Sequence, residues 1–131
     1  MRGLFTKMLG DKGERAAAKY LRSHGMKILE RQSKNQIGEI DLIAKDGKCI
    51  VFVEVKTRSS NAHGQPFEAV NHTKQKKLTR VALVWLKRRK LLTSSARFDV
   101  VSIVWPDDSK KPIIDHYRNA FEPVGRGQMF A

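Results

Sequence analysis

The order of periodicities along this chain predicts an α/β fold, with a mixed central β-sheet of four to five strands flanked by helices. Three observations carry that expectation: an amphipathic helix near the start, a meander of three strands after it, and a second helix followed by another strongly apolar strand. A strand that returns after a helix is expected to lie parallel to a central strand through a right-handed crossover. At 131 residues and 40% hydrophobic, the chain can bury about two-thirds of its unfolded surface. One domain is therefore expected over residues 1–121, with 122–131 as a loosely held C-terminal tail.

The first helix is expected over about residues 12–24. Asp11 reads as its N-cap, Glu14 follows in a capping-box relation, and Gly25 is placed to end it. Its packing face reads Ala17, Tyr20, Leu21 and His24, and the 3.6-residue period turns Glu14 toward that side. An acid so placed either caps the first turn or borders the core. Residues 26–31 alternate like an edge strand, and 33–36 form a polar turn. Residues 37–45 and 48–57 read as two further strands, joined by a hairpin at Asp46-Gly47. Alternation puts Ile40, Leu42 and Ala44 on the core side of one, and Val51, Val53 and Val55 on the core side of the other. It sets Asp41 beside Glu39 and Ile43, and Glu54 beside Phe52 and Lys56. A polar loop follows from Arg58, and Pro66 opens a short helical turn to Val70. Leu78, Val81, Ala82, Trp85 and Leu86 mark a helix over about 73–90. Residues 97–105 make the fourth strand and 113–121 a short fifth.

Lys and Arg number 26 against 13 Asp and Glu, a net charge of +13 and an isoelectric point near 10.2. Such a field attracts polyanions, and nucleic acid is the expected partner. The second helix concentrates the charge, because no acid occurs between His72 and Lys90 to balance its Lys and Arg residues. Phosphate contacts are expected from Lys74, Gln75, Lys77, Arg80 and Arg88 on that helix, and from Arg58 after the third strand. The single cysteine, Cys49, excludes an intramolecular disulfide and fits a reducing cytosol. No stretch approaches the roughly 20 apolar residues of a membrane span, so a cytoplasmic protein without membrane association is expected. The histidines lack paired zinc-ligand spacing. No glycine-rich phosphate loop, nucleotide fingerprint or serine elbow occurs.

Asp41, Glu54 and Lys56 are ionised groups within apolar runs, where an unpaired charge is costly. Hard divalent ions prefer oxygen ligands and keep several waters, so Asp41, Glu54 and the backbone carbonyl of Val55 make a sufficient half-shell for Mg2+ or Mn2+. Lys56 would orient a nucleophile or offset phosphate charge, and Glu14 would join from the helix, behind the first ligands or on a second ion. Metal-assisted hydrolysis of a phosphodiester needs this combination. The same three strand residues also admit a purely structural ion-pair reading. Asp99 and Glu39 suit ion pairs, and Trp85 and Trp105 suit core packing.

Asp41 followed thirteen residues on by Glu54-x-Lys56, after a helix bearing Glu14, resembles the signature of the PD-(D/E)XK, or restriction-endonuclease-like, superfamily, most closely its Holliday-junction-resolvase-like branch. Six ordered blocks resemble the YraN-type family of small bacterial proteins: Gly13-Glu14-x-x-Ala17, the run from Gly38 to Ala44, the run from Val51 to Arg58, Glu68-Ala69-Val70, Lys74-Gln75-x-x-Leu78 and the run from Arg97 to Val101. They cover most of the chain. The resemblance implies a restriction-endonuclease-like core and catalytic positions at Glu14, Asp41, Glu54 and Lys56. It implies a metal-dependent nuclease acting on branched or damaged DNA, with DNA ahead of RNA. Junction cleavage needs two sites, hence a homodimer. The alternative is a non-catalytic nucleic-acid-binding or adaptor protein that keeps the nuclease fold.

Overall fold

Two helices cover opposite faces of a five-stranded sheet in the computed structural model, which describes residues 2–58, 70–106 and 111–125, with side chains from residue 7 onward. The short helical turn expected at 66–70 lies, apart from Val70, outside the described residues. Helix α1 spans Arg2–Ser23, strands β1, β2 and β3 span Lys27–Lys34, Glu39–Asp46 and Cys49–Arg58, helix α2 spans His72–Arg88, and β4 and β5 span Ala96–Val104 and Ile113–Phe121. The spatial order is the chain order. Every neighbouring pair is antiparallel except β3 and β4, which run parallel across the α2 crossover.

Helix α1 begins far upstream of the expected start, and Asp11 lies inside it instead of capping it. The apolar stripe explains this: Leu9 and Ala16 join the cluster of Ala17, Ala18 and Leu21, so the helical period continues toward the N-terminus and prevails over the capping signature. The other end behaves as expected. Gly25 takes φ +88°, its N–H donates to the Arg22 carbonyl and the Met26 N–H to the Leu21 carbonyl, both at 3.0 Å, the paired bonds of a Schellman stop. Helix α2 opens on Asn71, whose side-chain oxygen accepts the Lys74 N–H at 2.9 Å.

The sheet is core on both faces. Ala17, Ala18 and Leu21 of α1 pack on Leu42, Ala44, Val51, Val53, Val101 and Ile103. Leu78, Val81, Ala82, Trp85 and Leu86 of α2 pack on Ile43, Phe52, Phe98 and Val100. Trp85 and Trp105 are both buried, as core packing requires. Ile40 departs from expectation: it belongs to the α2 side with Ile43, while Leu42 and Ala44 face α1. Regular alternation would keep Ile40 and Leu42 together, so β2 turns over at Asp41.

Gly13 fixes how closely α1 approaches the sheet. A Cβ there would lie 2.0 Å from Thr57 Oγ1 and 2.9 Å from Thr57 Cβ, and a short β-branched side chain has nowhere to swing. Gly13→Ala should therefore destabilise by about 1–3 kcal/mol despite the better helix propensity of alanine. Thr57→Ala should recover part of that loss, read as a shift of the urea midpoint.

Where the β4–β5 register slips between Phe98 and Val100, Asp99 fills the gap. Its buried carboxylate accepts the Asn119 N–H at 2.9 Å, Arg97 Nε at 2.9 Å and His116 Nε2 at 2.8 Å. Burial alone would raise its pKa, but the hydrogen bonds from His116, Arg97 and Asn119 outweigh burial and hold the carboxyl below its ordinary value. A depressed folded pKa stabilises fully above the unfolded value near ~3.9, and that stabilisation is lost as pH falls through the folded pKa. Asp99→Asn should cost about 3 kcal/mol at neutral pH, with the gap from wild type closing below about pH 4, measured by denaturant unfolding across pH.

Candidate active site

The site begins where two strands stop pairing. The β2–β3 ladder ends at Leu42 opposite Val53, while β2 stays on β1 as far as Glu39 opposite Lys34. Beyond Val53 the backbone of β3 thus faces a gap on its β2 side, and an unpaired N–H there would be costly. Asp41 supplies the missing acceptor: its Oδ2 takes the Val55 N–H at 2.8 Å. A residue in an extended strand directs its N–H and C=O to the same side, so the Val55 carbonyl faces this gap too.

On the α2 side of the gap stands Glu54, 9% exposed. Its Oε1 receives Lys74 Nζ at 2.9 Å and lies 3.7 Å from Lys56 Nζ. Burial raises the Asp41 pKa most, the charge of Glu54 next; the Val55 N–H and Lys74 only partly oppose them, and the carboxyl is pushed up to about 7. Burial and the neighbouring Lys74 ammonium depress the Lys56 pKa. For Lys74, burial works downward, but the hydrogen bond and charge of Glu54 carry the net shift upward.

On the α1 side a cleft of about 300 Å³ opens between Glu14, Gln32, Glu39, Asp41, Val55 and Thr57, walled by Lys7, Leu9, Gly10 and Asp11 of the helix. Burial raises the Glu14 pKa, against a hydrogen bond from Gln32 that lowers it. Asp41, Glu54, Val55, Lys56 and Lys74 are thus brought together, and Glu14 meets Asp41 across the cleft through charge alone. The expected convergence of three acids on one point is not found: among the described residues no three His, Cys, Asp or Glu side chains are grouped to hold a metal ion. A larger cavity of about 410 Å³, at the opposite end of α2 between Leu29, Ile50, Trp85 and Leu91, contains none of these groups.

The basic helix is less uniform than its sequence. Lys77, Arg80 and Arg88 are exposed, with the Lys77 stem against Gly38, where a Cβ would lie 2.8 Å from Lys77 Cε. Acids from elsewhere in the fold reach other members: Glu54 pairs with Lys74, and Glu30 pairs with Arg89 at 3.2 Å and accepts the Trp85 indole N–H. Gln75 turns its amide back to the Val70 carbonyl at 2.8 Å, closing the start of α2 and not the gap. Arg58 ends β3, half-buried, its carbonyl accepting the Trp105 N–H at 3.0 Å. Sequence reasoning missed Gln32, which holds Glu14 from a left-handed backbone position at φ +49°. No residue type signals such a conformation for glutamine. It also missed Lys7, because the helix was expected to begin after it.

A sequence profile for the uncharacterised protein family UPF0102 matches residues 13–103. The chain belongs to that family. UPF0102 is the YraN-type family that the six sequence blocks resemble. The chain is 50% identical over 119 residues to a UPF0102 protein of Geobacter metallireducens, covering 91% of this chain and 96% of that one. It is 48% identical over 120 residues to one of Rhodopirellula baltica, covering 89% and 72%, and 44% identical over 113 residues to one of Rhodococcus opacus, covering 86% and 95%. Among solved structures, Pyrococcus furiosus SfsA in complex with Ca2+ aligns with a TM-score of 0.40 and 14% identity, covering 86% of this chain and 63% of that one. The UPF0102 name carries no activity, so chemistry has to be argued from the site.

Because the folded pKa of Asp41 lies near 7 and the unfolded one near ~3.9, ionised Asp41 opposes folding. The penalty grows as pH rises between those values and is constant above the upper one. Asp41→Asn keeps an acceptor for Val55 and removes the charge. It should be more stable than wild type by about 1–2 kcal/mol at pH 8 and equal to it near pH 4, measured by thermal unfolding.

Proposed function

We propose that this protein is a metal-dependent nuclease that hydrolyses phosphodiester bonds of DNA and selects its substrate by structure. The observation that supports it best is the Asp41 carboxylate lodged in the parting of β2 and β3, within reach of the Glu54 charge and beside the Val55 backbone. Two mutually repelling carboxylates and an aligned carbonyl fit Mg2+ or Mn2+, which need only a few protein ligands and take water for the rest. Asp41, Glu54 and Val55 would hold the ion. When bound it would polarise a phosphoryl oxygen and acidify an attacking water.

The protein's own groups do the remainder. Lys56, fixed on β3 with its pKa depressed, is suited to orient the attacking water and to counter charge on the phosphate. The cleft toward α1 gives a strand access to Asp41, with Glu14 and Gln32 on its wall. Lys77, Arg80 and Arg88 lie exposed on the basic face of α2, suited to contact phosphates and not base edges, which favours shape as the recognised feature. A junction substrate would call for two copies of the chain.

Labelled branched, flapped and single-stranded DNA should be cut by wild type with Mg2+ or Mn2+. Asp41→Ala, Glu54→Ala and Lys56→Ala should each lose about 10²-fold or more in rate while still binding DNA. Substrates left intact with every metal, at protein concentrations that saturate binding, would leave the adaptor reading in its place. Binding should also weaken steeply with salt, and replacing Lys77, Arg80 and Arg88 together should flatten the slope by up to roughly 3 units of log K per log salt, measured by fluorescence anisotropy.

A further inference from the structure

Glu54 Oε1 is held by two ammonium groups, Lys74 at 2.9 Å and Lys56 at 3.7 Å. With both carboxylates ionised, Asp41 and Glu54 balance Lys56 and Lys74 in formal charge, and the cluster in that state is neutral. A divalent ion entering between the acids would add two positive charges within a carboxylate's width of an ammonium. In half-buried surroundings that repulsion is poorly screened. One ammonium has to yield.

The two lysines differ in their freedom to do so. Lys56 rises from the middle of the sheet with a side chain 22% exposed, whereas the Lys74 side chain is 38% exposed. Lys74 also sits on the first turn of α2, its backbone fixed by Asn71, so its long side chain can swing outward without disturbing the helix. The exposed Lys77 and Arg80 on the same helix are where a phosphate chain would be met.

Resting on the nuclease reading above, we propose that Lys74 is a displaceable counter-ion: it neutralises Glu54 until a divalent cation arrives, then turns its ammonium to the phosphate of the nucleic acid. Cation and nucleic acid therefore bind with positive coupling, each raising the affinity for the other by the same factor. The carboxylate pair is loaded with metal chiefly when substrate is present.

Calorimetric titration with Mn2+ tests this on wild type, Lys74→Gln, Lys74→Arg and Lys45→Gln, with and without a phosphorothioate-linked single strand that resists hydrolysis. Without the strand, Lys74→Gln should bind Mn2+ about tenfold more tightly than wild type, and Lys74→Arg like wild type. With the strand, wild type should tighten by about tenfold and Lys74→Gln by less than about twofold. Lys45→Gln removes a charge from the far end of β2 and should follow wild type in both. Lys74→Met gives the same comparison should the glutamine variant fail to fold. Equal Mn2+ affinities for wild type and the uncharged variants would overturn the counter-ion role alone. No Mn2+ binding by any of them would overturn the nuclease reading with it.

Discussion

The parting of β2 from β3 beyond Leu42 and Val53 is the constraint from which the rest follows. Where two strands of a sheet packed on both faces stop pairing, backbone groups lose their ladder partners and need others. A carboxylate placed in the opening repairs the loss, as Asp41 does for the Val55 N–H. The same repair occurs at the β4–β5 slip, where Asp99 accepts the Asn119 N–H. The two repairs end differently. Asp99 is also given Arg97 and His116, and its ionised form is favoured. Asp41 is given an acidic neighbour, and its ionised form is disfavoured. One yields an anchor, the other a strained charge of the kind that collects at functional sites.

The parallel pairing of β3 and β4 has a consequence for the same place. Parallel neighbours require a crossover, and the crossover helix α2 begins beside the C-terminal half of β3, where Glu54 and Lys56 stand. Its first turn therefore brings Lys74 to Glu54, while its apolar stripe covers Phe52 and Phe98. One element closes the core and balances the acids. This follows the general tendency of α/β sheets to form their sites at the carboxyl ends of strands.

The strands were legible because their alternation and apolar density are strong, and β5 lies where its pattern put it. The parallel return of β4 and the ion pairing of Asp99 were legible for the same reason, each being a local pattern with one physical solution. The start of α1 was not, because a good capping signature competed with an apolar stripe that ran past it. Nor was the side taken by Ile40, since the turn-over at Asp41 comes from strand separation and leaves no mark in composition. The acid that reaches the far end of α2 escaped as well: Glu30 is distant from it in sequence and meets it only through the fold. Residue types singled out Asp41, Glu54 and Lys56, which the fold brings together, but only the sheet's geometry set Glu14 apart across the cleft.

The two outer strands share an irregularity. β1 shifts register between Ile28 and Glu30 and carries Gln32 at φ +49°; β5 shifts opposite Phe98 and Val100 and carries Asn119 at φ +51°. Edge-to-edge addition of another strand needs a straight, unbroken row of donors and acceptors, and bulged rims deny it. Each border of the sheet is thus blunted against open-ended stacking of chains. Extension of the ladder past its outer strands by a second copy is therefore disfavoured.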